Sequence, residues 1–295
     1  MDKIRRFGPV WFVPGKKQGR YPYCHSIYIE GAGVLIDPAS DQDVLRQLRQ
    51  GPGVKEVWLS HWHEDHLAYL DLFEDLPFKM AREDAPPLAD LETFLDWYEM
   101  GQPASRDMWR KLMLKRFNYR PRHPSGDLPA GEVIDLGTVR VEVLSTPGHT
   151  PGHRSFFFKG PEVLFLGDYD LTSFGPYYGE LNADIQGVID SVNRLSRIPA
   201  KTWLASHDAG VFTENPGPRW QRFLDVIDQR EEKLIRFLEK PRTRQDVVEA
   251  WIVYHRPRQP LEFYALAEWV IMKKHLERLI RQGRVKQDQG RYSLV

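Results

Sequence analysis

His61-Trp62-His63-Glu64-Asp65-His66 is the most informative stretch of this 295-residue chain. It places three imidazoles beside carboxylates within six residues, directly after the apolar run 54–59. Neutral imidazole and carboxylate are the usual ligands of zinc and of other first-row metals. Two alternate histidines that leave a strand can converge on one ion, and Asp65 with His66 would then face a second. The stretch predicts a metal site at the end of a strand rather than a group of solvated surface histidines.

Three later polar positions also follow apolar runs. The run 139–144 leads into Thr146-Pro147-Gly148-His149, where Gly and Pro predict a tight loop. The run 163–166 ends in Gly167-Asp168, and the run 203–205 ends before Ser206-His207-Asp208. Taken singly, each match is weak, because an Asp after a strand is usually a helix cap or a turn residue. Their shared position after apolar runs makes the set specific.

In these motifs the chain resembles the metallo-beta-lactamase superfamily, over roughly residues 8–215. The resemblance implies a pair of metal sites at which all seven family ligands are present. They would be His61, His63 and His149 at a first metal, Asp65, His66 and His207 at a second, and Asp168 between the two. The expected cofactors are two divalent metal ions, with zinc favoured and iron and manganese left open.

The resemblance also suggests roles for residues around the ligands. Asp65 would act in catalysis, by orienting the nucleophile or accepting its proton. His153 matches no ligand and is interpreted as structural. Metal-bound histidines usually donate their outward ring nitrogen to a neighbouring group, and Asp208 or Ser206 are candidates for that task.

Strands mixed with helices in this order predict an α/β (α+β) fold, namely an αββα sandwich of two packed sheets with helices outside. The runs 10–13, 26–30 and 33–37 are expected to be strands, and 41–50 has helical spacing. The ligands would then lie in loops along one edge of the sandwich, where an open cleft can form on a rigid scaffold.

An insertion at 81–127 is longer than a simple connection requires and is expected to cover the site. Residues 88–100 and 106–117 are predicted to be helical. Between 106 and 122 one acidic residue stands against seven basic ones, namely Arg106, Arg110, Lys111, Lys115, Arg116, Arg120 and Arg122. They indicate either an anion-attracting lid or a solvated helix face, and the second is favoured because basic helix faces are common. The aromatic cluster 174–179 follows Asp168 closely enough to line the cleft.

The chain is expected to change character after the breaker cluster Asn215-Pro216-Gly217-Pro218. We predict a catalytic domain over 1–222 and a C-terminal domain over 223–295. Helices are expected at 224–240, 246–254 and 263–282, followed by a hairpin around Asp288-Gln289-Gly290. This order resembles the winged-helix module of some beta-lactamase-like endoribonuclease relatives. Twelve Lys/Arg and seven Asp/Glu in 239–295 permit nucleic-acid contact, but packing on the catalytic body or homodimer formation is favoured.

Composition agrees with an ordinary cytoplasmic enzyme. The formal net charge is zero, so no global field indicates nucleic acid or membrane as a partner. The single cysteine, Cys24, excludes an internal disulfide, and the polar start Met1–Arg6 lacks a signal-peptide core. A small-molecule substrate is expected, which would be anionic if the basic segment were a lid.

The predicted function is a dinuclear metal-dependent hydrolase that uses a metal-bridging hydroxide. The substrate would be an ester, a thioester as in glyoxalase II, a lactone or a phosphodiester. Asp168 argues against a penicillin-cleaving enzyme, since the true metallo-beta-lactamases lack this bridging carboxylate. One alternative is a persulfide-dioxygenase-like oxidoreductase with a single iron at positions 61, 149 and 168. An RNA-processing endoribonuclease is a weaker alternative, and the natural substrate stays open.

Overall fold

The architecture is given by a computed structural model that describes residues 3–101 and 103–295. A seven-stranded sheet follows chain order, antiparallel from β1 to β4 and parallel from β4 to β7. Its strands are β1 (Arg5–Phe7), β2 (Val10–Val13), β3 (Ser26–Ile29), β4 (Val34–Ile36), β5 (Glu56–Trp58), β6 (Phe78–Met80) and β7 (Gly126–Asp127).

A six-stranded sheet has the order β13-β12-β11-β10-β9-β8, in which only β11 and β12 are parallel neighbours. Its strands are β8 (Val133–Asp135), β9 (Arg140–Ser145), β10 (Arg154–Lys159), β11 (Val163–Phe165), β12 (Thr202–Leu204) and β13 (Val211–Phe212). A small third sheet has the order β14-β16-β15. Its strands are β14 (Arg242–Thr243), β15 (Val285–Asp288) and β16 (Arg291–Leu294).

Eight α-helices lie within the described residues. They are α1 (Gln42–Leu48), α2 (Pro86–Ala89), α3 (Leu91–Trp97), α4 (Pro103–Arg116), α5 (Ile185–Leu195), α6 (Pro218–Phe237), α7 (Arg244–Glu249) and α8 (Leu261–Arg281). None of the helices in this described part of the chain combines the length and the apolar character that a membrane span requires.

The two large sheets pack face to face, and strand alternation decides which side chains lie between them. In β2, Val10 and Phe12 belong to the core between the sheets, together with Phe156 of β10 and Phe165 of β11. Successive side chains of a strand point to opposite faces, so Trp11 belongs to the core outside the first sheet. Both faces of β2 are buried, which explains why its sequence is a continuous apolar run.

Helices cover the outer faces of both sheets. The cluster outside the first sheet includes Leu45 of α1, Phe94 of α3 and Trp109 of α4. The cluster outside the second sheet includes Val188 of α5 and Ile271 of α8, together with residues of α6 and α7. Helix, sheet, sheet and helix layers form the predicted αββα sandwich, so the expected fold class is confirmed.

Most predicted elements are present, with differences at their ends. Residue 224 was expected to begin a helix, but α6 starts at Pro218, because a proline at the first helical position needs no backbone N–H donor. The predicted helix at 246–254 ends earlier, at Glu249. Beyond it, the backbone N–H groups of Val253 and Tyr254 donate to the Glu268 carboxylate instead of continuing a helix. The Thr243–Asp246 capping box that starts α7 is present as expected.

The C-terminal elements pack on the catalytic body. One apolar cluster runs from Leu144 of β9 through α6, α7 and α8 to Val285 of β15. The Nζ atom of Lys274 on α8 also donates to the Leu181 carbonyl oxygen at 2.7 Å. The predicted boundary at 222/223 falls inside α6. The winged-helix assignment and the division into domains 1–222 and 223–295 stay predictions.

Candidate metal centre

The predicted ligands lie in loops at the carboxyl ends of four strands. The stretch 61–66 follows β5, and His149 follows β9. Asp168 follows β11, and His207 follows β12. Because β5 belongs to one sheet and the other three strands to the second, the site is at an edge that both sheets share.

Two glycines allow these loops to approach their neighbours closely. Gly148, just before His149, has φ +125°, and a Cβ there would lie 2.1 Å from the backbone nitrogen of Val188. Gly167, just before Asp168, has φ +63°, and a Cβ would lie 2.4 Å from Nε2 of His153. Any larger residue would push the ligand loop away from the centre.

Three histidines form a first group of converging nitrogens. Nε2 of His61 is 3.0 Å from Nδ1 of His63. Nε2 of His149 is 3.2 Å from the former atom and 3.0 Å from the latter. The Oδ2 atom of Asp168 is 3.4 Å from Nε2 of His149 and joins this group.

Asp65, His66 and His207 form a second group beside the first. Nε2 of His207 is 3.6 Å from Oδ2 of Asp65 and 3.4 Å from Oδ2 of Asp168. The other Asp168 oxygen, Oδ1, is 3.0 Å from Nε2 of His66. One carboxylate therefore contacts both groups, which is the position predicted for a bridging ligand.

Asp37 organises the outward nitrogens of two histidines. Its carboxylate accepts hydrogen bonds from the backbone and the hydroxyl of Ser60, at 2.8 and 2.7 Å. Because that hydroxyl donates to Asp37, it accepts from Nδ1 of His61 at 2.9 Å. Asp37 also lies 3.0 Å from Nδ1 of His66. Both rings therefore carry their proton on Nδ1 and present a bare Nε2 to the centre.

The other three histidines also have acceptors behind them. Nδ1 of His149 faces the carbonyl oxygen of Tyr177 at 2.9 Å. Nδ1 of His207 faces the carbonyl oxygen of Gly19 at 2.6 Å. Nε2 of His63 lies 2.8 Å from Oε1 of Glu180. Each of the five rings therefore turns its other nitrogen toward the centre.

This arrangement fits metal ions. Five ring nitrogens and two carboxylates face one another in a buried space, and metal ions between them would supply the positive charge that the carboxylates need. Nε2 of His66 and Oδ1 of Asp168 are buried, and neither has a hydrogen-bond partner among the residues that the structure describes. Imidazole nitrogen and carboxylate oxygen are the donor set of zinc, iron and manganese sites.

The pKa shifts show the same demand for positive charge. Burial, followed by neighbouring histidines, holds the pKa of His61 and of His63 well below its usual value. Burial also acts to lower the pKa of His207, but Asp168 and then Asp65 raise it to about 10. Asp168 and Asp65 therefore favour positive charge beside them, and bound metal ions would supply that charge.

The residues behind the ligands differ from those expected. Asp208 or Ser206 was expected to orient a ring nitrogen, and this was wrong. The Asp208 carboxylate accepts instead from Nε of Arg20 at 2.8 Å, and the Ser206 hydroxyl has no hydrogen-bond partner within 3–101 and 103–295. Asp37 has this role instead. It follows β4, which pairs with β5, and the sequence alone does not show that these two strands are neighbours.

His153 lies outside both groups, as the sequence analysis expected. Its Nδ1 is 2.8 Å from the hydroxyl of Thr146, and its Nε2 accepts the backbone N–H of Asp168 at 3.2 Å. His153 therefore fixes the backbone of Asp168, and both its ring nitrogens already have partners within the protein.

A cavity of about 410 Å³ opens over the two groups. His63, Asp65, His149, Asp168 and His207 contribute to its lining. The insertion contributes Tyr98, Met100 and Trp109, and the loop after Asp168 contributes Phe174 and Tyr177. The α8 residues in the lining are Phe263, Tyr264, Leu266, Ala267 and Val270.

The seven basic residues of 106–122 do not line this cavity. Arg106 and Arg110 form ion pairs with Glu92 on the neighbouring helix, at 2.7 and 2.6 Å. Arg120 and Arg122 pair with Glu74. These pairs favour the solvated-face interpretation of the basic segment over an anion-attracting lid.

Comparison with known proteins identifies relatives of the chain. The family model described as "Metallo-beta-lactamase superfamily" matches residues 19–207, more than half of the chain. The hydroxyacylglutathione hydrolase of Thermosynechococcus vestitus is 26% identical over 183 residues, which cover 59% of this chain and 58% of that protein. The acyl-coenzyme A thioesterase MBLAC2 of Gallus gallus is 29% identical over 178 residues, 58% of each chain. The chain thus spans somewhat more than half the length of these relatives.

A solved structure extends the similarity of fold to the whole chain. The metallo-beta-lactamase family protein TTHA1429 of Thermus thermophilus superposes with a TM-score of 0.71 at 23% identity. The match covers 100% of this chain and 99% of that one, so the C-terminal elements share its fold as well.

Proposed function

The chain belongs to the metallo-beta-lactamase superfamily, and on that premise we propose that it is a dinuclear metal-dependent hydrolase of acyl thioesters or related esters. The observation that carries the proposal is the set of five inward ring nitrogens with Asp168 shared between two groups. A single ion would leave Asp65, His66 and His207 without a cation, although their ligand atoms all lie within 4.8 Å of one another.

We assign His61, His63 and His149 to one ion and Asp65, His66 and His207 to the other, with Asp168 as ligand to both. Zinc suits this nitrogen and oxygen donor set, and iron and manganese are chemically consistent with it. When bound, such ions would lower the pKa of water and withdraw electron density from a substrate carbonyl.

The protein's own groups would then position substrate and move protons. Asp65 lines the cavity and lies next to both histidines of the second group, so it is placed to accept a proton from the attacking water. The apolar walls around Met100 and Val270 would exclude bulk water from the carbonyl. No serine or cysteine nucleophile is required.

A thioester is the favoured substrate for two reasons. The relatives described above are named as a hydrolase of hydroxyacylglutathione and as a thioesterase of acyl-coenzyme A. Side chains of α8 and of the insertion form walls of the cavity, so an acyl chain fits it better than a nucleic-acid strand. These points favour a thioester hydrolase over an RNA-processing endoribonuclease.

The test is a rate assay of the metal-loaded protein on three substrates: a thioester, a lactone and bis(p-nitrophenyl) phosphate. We expect the thioester to be hydrolysed fastest, with activity lost on chelation and restored by added metal. Oxygen consumption on a persulfide, with no hydrolysis of any of the three, would contradict the proposal in favour of a mononuclear iron dioxygenase.

A further inference from the structure

Four aromatic side chains from three distant segments form one wall of the cavity. Tyr98 stacks on Trp109 with ring centroids 5.4 Å apart and planes at 25°. Trp109 stacks on Phe263 of α8 at 5.4 Å and 21°, and Phe263 stacks on Tyr21 at 6.1 Å and 30°. We call these four residues the aromatic wall. All four line the cavity over the predicted metal ligands.

Glu64 closes the wall into a ring. Its two carboxylate oxygens accept the hydroxyls of Tyr21 at 2.9 Å and Tyr98 at 2.5 Å. Glu64 is itself buried, and it stands between two of the predicted ligands. Because both hydroxyls are used in this contact, the wall offers ring faces to the cavity rather than free polar groups.

Further apolar side chains line the cavity beside the aromatic wall. Leu266, Ala267 and Val270 on α8 line it, together with Met100 from the insertion. The arginine side chains that line the cavity, Arg20 and Arg258, are exposed to solvent, and Arg20 is paired with Asp208. Away from the predicted ligands, the interior of the cavity is therefore suited to hydrocarbon.

We propose that the cavity selects substrates with an extended apolar acyl group and that the aromatic wall and Ala267 set this preference. The inference rests on the proposed hydrolase function and adds the class of acyl group. A cavity of about 410 Å³ falls in the range of sites that enclose a small organic ligand. Burial of each methylene then contributes to binding in the transition state, and a short acyl group would leave the wall without a partner.

The first experiment compares thioesters of one thiol with acetyl, butanoyl, hexanoyl and octanoyl groups. We expect kcat/KM to rise by roughly fourfold for each added methylene, which is on the order of 100-fold from acetyl to hexanoyl. Equal kcat/KM for all four would overturn the inference while leaving the hydrolase itself intact. If no thioester is cleaved, the proposed function fails instead, so the two failures are distinguishable.

Ala267→Leu tests the location of the acyl group. Leucine keeps the helix and fills part of the cavity, so we expect the ratio of kcat/KM for octanoyl thioester to kcat/KM for acetyl thioester to fall at least about tenfold. The matched control is Ala265→Leu, the same change on the same helix at a position that does not line the cavity. A loss of octanoyl preference in the control, or its retention in Ala267→Leu, would overturn the assignment.

A binding measurement gives a readout apart from catalysis. Octanamide and propanamide are neutral amides that differ by five methylenes, and calorimetry on the metal-loaded protein compares their affinities. We expect octanamide to bind on the order of 1,000-fold more tightly, and Ala267→Leu to weaken it by about tenfold or more while the protein keeps its wild-type circular dichroism. Similar affinities for the two amides would contradict the proposal.

Discussion

Two clusters of buried polar side chains lie on either side of the loop 174–180, and they are built on opposite rules. At the metal centre, five ring nitrogens point inward, and those of His61, His63 and His149 lie only 3.0–3.2 Å from one another. In the second cluster, between α6 and α8, Nη1 of Arg230 donates to the Tyr178 hydroxyl at 3.0 Å, and that hydroxyl lies 3.0 Å from Nε2 of His275. Nδ1 of His275 faces Oε2 of Glu231 at 3.3 Å.

The difference shows how a ligand histidine can be told from a structural one. His275 is as buried as His61, but each of its nitrogens has a complementary partner within the protein. A buried polar group is costly unless it is satisfied, so a closed network needs nothing more. The metal centre lacks that closure and needs cations to complete it. We refer to the Arg230, Tyr178, His275 and Glu231 group as the closed network.

The largest expected effect is that of Asp168→Asn, which removes the shared charge from the metal centre. We expect bound metal to fall and kcat/KM to drop on the order of 1,000-fold, more than the roughly 10- to 100-fold typical of residues that only support ligands. Elemental analysis and the thioester assay measure both. His275→Leu is the control from the closed network, and it should retain wild-type metal content.

Asp37→Asn tests whether the predicted ligands His61 and His66 depend on the carboxylate that contacts their outward side. The Asp37 carboxylate faces three donors: the Ser60 backbone N–H, the Ser60 hydroxyl and Nδ1 of His66. In the asparagine variant one carboxylate oxygen becomes an NH2 group, which cannot accept, so the tautomer of His66 would no longer be fixed. We expect metal affinity to fall by about 10- to 100-fold with the fold retained. Competition with a chelator measures this, and an unchanged affinity would show that the ring nitrogens need no help from Asp37.

In the closed network, His275→Leu should change stability instead of metal binding. Leucine removes the acceptor of the Tyr178 hydroxyl and one partner of the Glu231 carboxylate, which keeps its ion pairs with Arg278 and Arg284. We expect the free energy of unfolding to fall by about 1–3 kcal/mol, as measured by chemical denaturation at fixed metal concentration. Loss of metal in this variant would mean that the two clusters are not independent.

The smallest expected effect is a pH dependence of that stability difference. Burial lowers the pKa of His275 below its usual 6.5. The folded state therefore favours the neutral ring, and its contribution is present above about pH 6.5 and declines as pH falls through and below that value. We expect the gap in unfolding free energy between wild type and His275→Leu to be smaller at about pH 5.5 than at about pH 7.5. A gap that widens on acidification would contradict the neutral assignment.

The sequence predicted the parts of the molecule that depend on local pattern. Apolar runs such as 10–13 and 163–166 identified strands. The stretch 61–66, the residues after three later apolar runs and the family resemblance together identified the seven candidate ligands. Asp37 was missed as a partner of His61 and His66 because this role depends on β4 and β5 being neighbours, which no local pattern states. The acceptors of His149 and His207 are backbone carbonyls, and these carry no residue signature at all.

The aromatic wall could not be predicted from the sequence either, because it depends on which elements are neighbours in the fold. Tyr21, Tyr98, Trp109 and Phe263 come from distant parts of the chain, and only the packing of α8 against the insertion brings them together. The basic segment 106–122 could instead have been mistaken for a functional feature. Its positive charges are evident in the sequence, but several of them are paired with acidic residues such as Glu92 and Glu74.

The most direct test of the central claim is the number of metal ions bound to each chain, measured by elemental analysis of protein purified without oxygen and without chelator. We expect two divalent ions per wild-type chain, fewer in Asp168→Asn, and two in His275→Leu. One ion per wild-type chain that does not rise on metal titration would contradict it, because Asp65, His66 and His207 would then converge without a cation to bind.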